Sequence, residues 1–288
     1  MTQERGAAPL LRVEDLRVTF ETPRGSHAAV RGVTFDLGRE RLGLVGESGC
    51  GKSTLARALL GLVPRPGRMA ARRLELSGAD LAALSEPQMR RLRGRRIAMI
   101  LQDPRYSLNP VMTVGRQIAE TWRAHFPGTA AEAERRTLAM LESVGFRDPA
   151  RVARAFPHEL SGGEGQRAMI AAMLIAEPEV LIADEPTSAL DVTLRNQVLG
   201  VLDDLVTRRG MGLLFISHDL GLVASFCDRV LVMYAGRIVE TIAAADIANA
   251  RHPYTRGLMN ARPRLEGTAG ELPVVPRDPA WLATDRGP

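Results

Sequence analysis

Apolar and polar residues alternate with a period of two near the start of the chain. Residues 11–20 and 29–36 both show this alternation, and the stretch between them contains Gly, Pro and Ser. The pattern is typical of half-buried strands joined by a turn. It predicts an antiparallel β piece that leads into a short buried strand at residues 41–45.

Further along, the apolar spacing changes from that of strands to that of helices. A helix is predicted at residues 53–60, then a break at Pro64-Arg65-Pro66-Gly67 and a strand at 72–76. From about residue 87 to 178 the pattern is mainly helical, with one short strand inside it. The predicted helices of this block are 113–125, which begins at a Thr cap, 131–144 and 161–176, and its strand is 96–101.

The strand pattern returns after residue 178. Apolar strands are predicted at 180–183 and 212–216, with a helix at 190–209 between them. Strands and helices that alternate on both sides of a helical block indicate an α/β fold with a parallel sheet and an inserted helical subdomain.

The composition is that of a globular protein, but it does not identify a binding partner. The chain has 288 residues, of which 45% are hydrophobic and 25% charged, as in an ordinary globular protein. Its net charge of +5 favours an anionic partner, which could be a nucleotide, a nucleic acid or a membrane surface. No apolar run approaches the ~18 residues that cross a bilayer, so we expect membrane association only through a partner.

The stretch GESGCGKS at residues 46–53 carries the clearest chemistry. It fits the spacing G-x-x-x-x-G-K-[ST] between a strand and a helix, in which backbone N–H groups and a helix N-terminus hold phosphates. Lys52 is the only lysine among 38 basic residues, at the position where a compact charge reaches phosphate. A turn that merely begins a helix is therefore disfavoured. The predicted nucleotide-binding residues are Gly46, Ser48, Gly49, Cys50, Gly51, Lys52, Ser53 and Thr54.

Polar residues follow three of the predicted strands. Asp184 and Glu185 end an apolar strand, where Asp184 can hold Mg²⁺ together with Ser53, and Glu185 can orient a water. Gln102 can contact Mg²⁺ or the attacking water, and His218 can donate a hydrogen bond to phosphate. A single Gln or His can equally be structural.

Ser161 and Glu164 have the spacing of a capping box at the start of the helix after LSGGEGQR. Gly162 and Gly163 also make this helix start a candidate anion site. Local chemistry alone does not decide between the two.

Together these ordered motifs closely resemble the ATP-binding subunit of ABC transporters over about residues 10 to 263. The motifs are GESGCGKS, LQDP with Gln102, LSGGEGQR, VLIADEP, SALD and SHD with His218. The resemblance implies ATP and Mg²⁺ as cofactors, and it implies that two such domains pair head to tail. Ser161, Gly162 and Gly163 of one domain would then contact the γ-phosphate held at Lys52 of the other.

The resemblance also assigns roles to single residues. Glu185 would be the catalytic carboxylate, His218 the γ-phosphate sensor and Asp191 a residue that joins the two sites. Phe20 would stack on adenine, with Phe where Tyr is usual, and Gln102 would lie near the membrane subunits. Glu164 stands where Gln is commoner in the family.

Two stretches narrow the branch. SLNPVMTVGRQI at 107–118 and HPYTRGLMNARP at 252–263 look like the oligopeptide, dipeptide and nickel importers. That branch implies a homologous second ATPase in a heterodimer, two permeases, an extracytoplasmic binding protein and a place on the cytoplasmic face of the membrane. Peptide, nickel and metal-chelate substrates all remain open. The alternative is a nucleic-acid-handling ATPase of the same fold, which the arginine run at 90–96 and the high pI of 9.9 favour. We interpret the run itself as a solvated helix face, because it has no interleaved aromatic residues to stack on bases.

The resulting expectation is a P-loop NTPase core with an N-terminal antiparallel β piece. We expect an ATPase domain at 11–263 between an N-terminal tail, 1–10, and a Pro/Gly-rich tail, 264–288. Its predicted parts are a core at about 11–101 and 179–242, a helical subdomain at about 102–178 and a C-terminal helical extension at about 243–263.

Overall fold

The structure is a computed structural model that describes residues 8–23, 25–101, 107–187, 190–261 and Trp281. The chain divides into two compact units, each built from separate segments. The first unit comprises residues up to Leu10, 37–40 and 83–214. The second comprises residues 11–36, 41–82 and those from 215 onward.

Strands and helices follow one another in the mixed order expected of an α/β fold. The strands are β1 Leu11–Thr22, β2 Gly25–Leu37, β3 Arg41–Val45, β4 Gly67–Ala70, β5 Arg73–Leu76, β6 Ala79–Asp80, β7 Ile97–Ile100, β8 Val180–Asp184, β9 Gly212–Ser217, β10 Arg229–Tyr234 and β11 Arg237–Ala243. The helices are α1 Lys52–Leu59, α2 Glu86–Leu92, α3 Val114–His125, α4 Ala130–Ser143, α5 Pro149–Arg154, α6 Gly162–Leu174, α7 Val192–Arg209, α8 Leu220–Phe226 and α9 Pro253–Asn260.

An antiparallel sheet forms the N-terminal part of the second unit. β1 pairs with β5, Leu11 opposite Leu76, and with β4, Phe20 opposite Gly67. Along β1 the buried positions shift phase by one after Asp15, whose φ is 50°. An extra residue in the left-handed region produces this shift, as in a β-bulge. β2 lies beside β1 in this sheet, and the predicted N-terminal antiparallel β piece is present.

The second unit also holds the strand that precedes the phosphate loop. β10 pairs parallel with β3, from Arg229 opposite Leu42 to Val232 opposite Val45. β10 then turns back into β11 through Ala235 and Gly236, which have φ of 44° and 86°. A two-residue loop with both φ values positive is the turn that matches the twist of an antiparallel pair.

The first unit combines parallel strands with helices. β7 pairs parallel with β8, from Ile97 opposite Val180 to Ile100 opposite Ala183. α3 buries Val114, Ile118 and Trp122, which are four residues apart and so share one helix face. None of the helices in the described part of the chain combines the length and apolar character needed to span a bilayer.

The predicted elements match the structure to within a few residues, with one difference in the arginine run at 90–96. The sequence predicts one solvated helix face for this run, but α2 ends at Leu92 and Gly94 has a φ of 81°. Three of its five arginines serve the fold: Arg93 pairs with Glu86 at 2.6 Å, Arg96 pairs with Glu179 at 2.6 Å, and Arg95 Nη1 donates to the Ala176 carbonyl oxygen at 3.2 Å. Such paired arginines offer little charge to a nucleic acid.

Candidate functional site

The phosphate loop lies between β3 and α1, as its sequence predicts. Lys52 is the first residue of α1, and only 5% of its surface is exposed. Its Nζ donates to the carbonyl oxygens of Gly46, at 2.8 Å, and Glu47, at 2.9 Å. The ammonium group is therefore held inside the loop itself.

Two loop glycines are required by close backbone neighbours. A Cβ built on Gly46 would lie 2.2 Å from the Met233 carbonyl oxygen, and one built on Gly51 would lie 2.4 Å from the Ala29 carbonyl oxygen. Gly51 also caps α1 with a φ of 110°, a conformation that side chains disfavour. The strands that flank the loop thus fix its path.

Tyr254 on α9 contacts the phosphate loop through its hydroxyl group. Its hydroxyl oxygen accepts a hydrogen bond from the Glu47 backbone N–H at 2.9 Å. The side chain is fully buried, which raises the pKa of Tyr254. The rings of Tyr234 and Trp281 pack beside it, at centroid distances of 4.6 and 5.8 Å. The C-terminal helix is thereby joined to the phosphate loop within the second unit.

We expect Tyr254→Phe to destabilise the protein by about 1 to 2 kcal/mol, because the half-buried Glu47 N–H loses its acceptor. Thermal unfolding with and without ATP measures the change. The matched variant Tyr234→Phe removes a hydroxyl from the same ring cluster and should have a smaller effect. Equal effects of the two substitutions would show that the Glu47 hydrogen bond does not support the loop.

The acidic pair follows β8 in the first unit. Asp184 is the last residue of the strand and is 7% exposed. Glu185 adopts a φ of 49° without being glycine, a conformation that costs about 1 to 3 kcal/mol and is typical of functional sites. The buried Gln166 of α6 donates through Nε2 to the carbonyl oxygen of Pro186 at 2.8 Å. This hydrogen bond holds the residue that follows Glu185.

The predicted capping box at the start of α6 is confirmed. Ser161 is the N-cap, its Oγ accepts the Glu164 N–H at 3.3 Å, and the Glu164 carboxylate accepts the Ser161 N–H at 3.0 Å. These hydrogen bonds, together with Arg151, hold the pKa of Glu164 below its usual value. Ser161 and Gly162 are exposed, whereas Gly163 is buried, and a Cβ on it would lie 2.6 Å from Leu194 of α7.

The remaining candidate residues lie at the ends of other elements. Phe20 is half-buried on β1, and Asp191 caps α7 by accepting the Leu194 N–H at 2.9 Å. His218 is exposed directly after β9. Gln102, with most of LQDP, and residues 188–189 of SALD lie outside the described residues.

Each candidate belongs to one of the two units. The loop residues 46–54, Phe20 and His218 are in the second unit. Ser161, Gly162, Gly163, Asp184, Glu185 and Asp191 are in the first. Sequence reasoning missed Tyr254 and Arg151 as supports of the two motifs. Only the stretch HPYTRG pointed towards Tyr254, and it gave no sign of a contact with the loop.

A phosphate loop before α1, an acidic pair after β8 and a capped glycine pair at the start of α6 define a nucleotide-binding ATPase of the cassette type. Residues 30–188 match the family described as ABC transporter. The chain belongs to this family, as one of its ATP-binding, ATP-hydrolysing subunits.

Two relatives of the chain are named for peptide or oligopeptide transport. The chain is 50% identical over 271 residues to "Probable peptide ABC transporter ATP-binding protein y4tR" of Sinorhizobium fredii, covering 93% of this chain and 81% of the relative. It is 46% identical over 277 residues to "Oligopeptide transport ATP-binding protein OppD" of Bacillus subtilis, covering 95% and 77%. These relatives do not favour a nucleic-acid-handling ATPase.

Solved structures show the same fold. One is a dimeric, post-hydrolysis ATP-binding cassette bound to ADP and Pi, with a TM-score of 0.73, 23% identity and coverage of 81% of this chain and 98% of that one. Another is an ATP-binding subunit of an ABC transporter, with a TM-score of 0.66, 27% identity and coverage of 83% and 92%. The predicted α/β fold class is confirmed.

Proposed function

We propose that this chain hydrolyses ATP to power the import of peptides through membrane permeases. The observation that carries the proposal is the 50% identity, over 93% of the chain, to a relative named for peptide transport. Nickel and metal chelates, which the sequence also allowed, have no such support among these relatives. Transport is driven, in this proposal, by closure and reopening of a nucleotide-binding dimer.

The phosphate loop supplies the binding half of the proposed ATP site. Residues 46–54 would hold the phosphates through backbone N–H groups and through Lys52, whose ammonium group already lies inside the loop. Phe20 would stack on the adenine ring, because a half-buried aromatic side chain can present one face to a base.

Mg²⁺ would neutralise phosphate charge and orient the γ-phosphate when it is bound. We propose Ser53, Asp184 and Gln102 as the residues that hold it. Hydroxyl, carboxylate and amide oxygens are the hard donors that Mg²⁺ prefers, and Asp184 ends a parallel strand with little exposed surface. The described residues contain no group of three His, Cys, Asp or Glu side chains that could hold a metal ion. A site with few protein ligands completed by phosphates suits Mg²⁺.

The proposed chemistry needs positioning rather than a covalent intermediate. Glu185 would orient a water for attack on the γ-phosphate, and its constrained backbone would fix the direction of its carboxylate. His218 would donate a hydrogen bond to the γ-phosphate, and Gln102 would assist at the water. Ser161, Gly162 and Gly163 of a facing subunit would complete the site, with Asp191 at the junction.

The proposed assembly contains a homologous second ATPase, two permeases and an extracytoplasmic binding protein. This subunit would lie on the cytoplasmic face of the cell membrane, held there by the permeases. The relatives are named as ATP-binding proteins of peptide or oligopeptide transport, which supports the assembly in general, and its exact composition is part of the proposal.

Copurification tests this assembly. A tagged chain is extracted from native membranes in mild detergent, and its partners and any ligand of the binding protein are identified by mass spectrometry. We expect two permeases, a second ATPase and a binding protein loaded with peptides. A binding protein loaded with nickel or a metal chelate would overturn the peptide assignment, and copurification with nucleic-acid enzymes instead of permeases would overturn the transport role.

A further inference from the structure

An arginine of α5 contacts the carboxylate inside the cap of α6. Arg151 Nη2 forms an ion pair with Glu164 Oε1. The other carboxylate oxygen, Oε2, accepts both the Ser161 backbone N–H and the Ser161 hydroxyl, each at 3.0 Å. Both hydrogens that Ser161 can donate therefore go to one carboxylate.

This arrangement conflicts with phosphate binding by Ser161. A phosphate oxygen only accepts hydrogen bonds, so a serine that binds it must donate its hydroxyl hydrogen. The Ser161 hydrogen must then leave Glu164 Oε2. In addition, the negative carboxylate of Glu164 lies one hydrogen bond away from the incoming negative phosphate, which weakens binding at a helix N-terminus. A neutral amide at position 164 would remove the second cost, because it carries no negative charge to repel the phosphate.

We propose that Arg151 is a positioning residue. It enables the start of α6, with Glu at position 164, to bind the γ-phosphate of a facing subunit. Its guanidinium group offsets the carboxylate charge and keeps Glu164 bound when the Ser161 hydroxyl turns away. This inference rests on the proposed function, because it requires Ser161 to meet the phosphate of the facing subunit.

The burial of the pair fits such a role better than a purely structural one. The Arg151 side chain is 52% exposed and that of Glu164 22% exposed. An ion pair that is partly open to solvent contributes modestly to folding stability. The same charges act strongly on a dianionic phosphate that binds beside them and excludes water.

A double-mutant cycle tests the proposal in the complex that copurifies with the tagged chain. Phosphate release is measured against ATP concentration for Arg151→Ala, Glu164→Gln and the double variant. We expect Arg151→Ala to raise the half-maximal ATP concentration about three- to tenfold. In the Glu164→Gln background the same substitution should change it less than about twofold, because no charge remains to be offset.

The control is Arg154→Ala on the same helix, since Arg154 Nε donates to the Ala150 carbonyl oxygen at 3.1 Å. It should leave the ATP dependence unchanged. Thermal unfolding of each variant checks that it is folded. If Arg151→Ala raises the half-maximal ATP concentration equally with Glu and with Gln at position 164, Arg151 only holds α5 in place. If Arg151→Ala has no effect on this concentration when Glu164 is present, the proposal is also overturned.

Ser161→Ala separates this inference from the function on which it rests. If Ser161→Ala leaves the ATP dependence unchanged, the proposed contact with the facing subunit is wrong. If Ser161→Ala raises the half-maximal ATP concentration while the effects of the Arg151 and Glu164 substitutions are additive, only the proposed role of Arg151 is wrong.

Discussion

Lys52→Ala should weaken ATP binding at least about 100-fold, which corresponds to about 3 kcal/mol. The side chain is 5% exposed, and its Nζ is held by two loop carbonyl oxygens at 2.8 and 2.9 Å. In Lys52→Ala a water molecule can fill the space of the lost side chain, but it carries no positive charge to bind phosphate. Lys52→Arg should fail as well, because a planar guanidinium group does not fit the space of a compact ammonium.

Isothermal titration with ATP measures the effect of Lys52→Ala. The control is Arg57→Ala, which removes an exposed positive charge from the same helix, α1. If both variants bind ATP equally, the attraction is a general effect of net charge, and the loop is not the phosphate site.

Glu185→Gln should slow ATP hydrolysis about 100- to 1000-fold while ATP binding stays unchanged. The amide keeps the shape of the side chain but can no longer accept a proton from water. Single-turnover phosphate release and ATP titration separate the two quantities. This variant should also prolong the ATP-bound closed state of the dimer.

Glu177→Gln is a matched control for Glu185→Gln. Glu177 has a φ of 54°, close to the 49° of Glu185, so both substitutions are made in the same backbone conformation. Glu177→Gln should hydrolyse ATP normally. Undiminished hydrolysis by Glu185→Gln would remove Glu185 from the proposed role.

Local signals in the sequence were sufficient for most elements and for the motifs. The strand at 41–45 and the start of α6 at Ser161 each follow from short-range patterns, namely an apolar run and a capping box. The arginine run at 90–96 was harder to interpret. A turn at Gly94 and partners such as Glu179, 83 residues from Arg96, interrupt what composition alone describes as one helix face.

Supporting contacts between distant residues could not be predicted. Tyr254 contacts the phosphate loop across 207 residues of sequence, and its partner is a backbone N–H that any residue except proline would offer at position 47. Arg151 of α5 contacts Glu164 of α6, and this contact depends on how the two helices pack. Sequence motifs identify the groups that face a ligand, whereas the groups that hold them are fixed by tertiary packing.

The central claim is that ATP hydrolysis by this chain serves transport through a membrane complex. The most direct measurement is phosphate release by the copurified complex in liposomes, with and without the peptide-loaded binding protein. We expect hydrolysis to rise when the loaded binding protein is added and to disappear with Glu185→Gln. A rate of hydrolysis that does not change when the binding protein is added, but increases when DNA or RNA is added, would contradict the account.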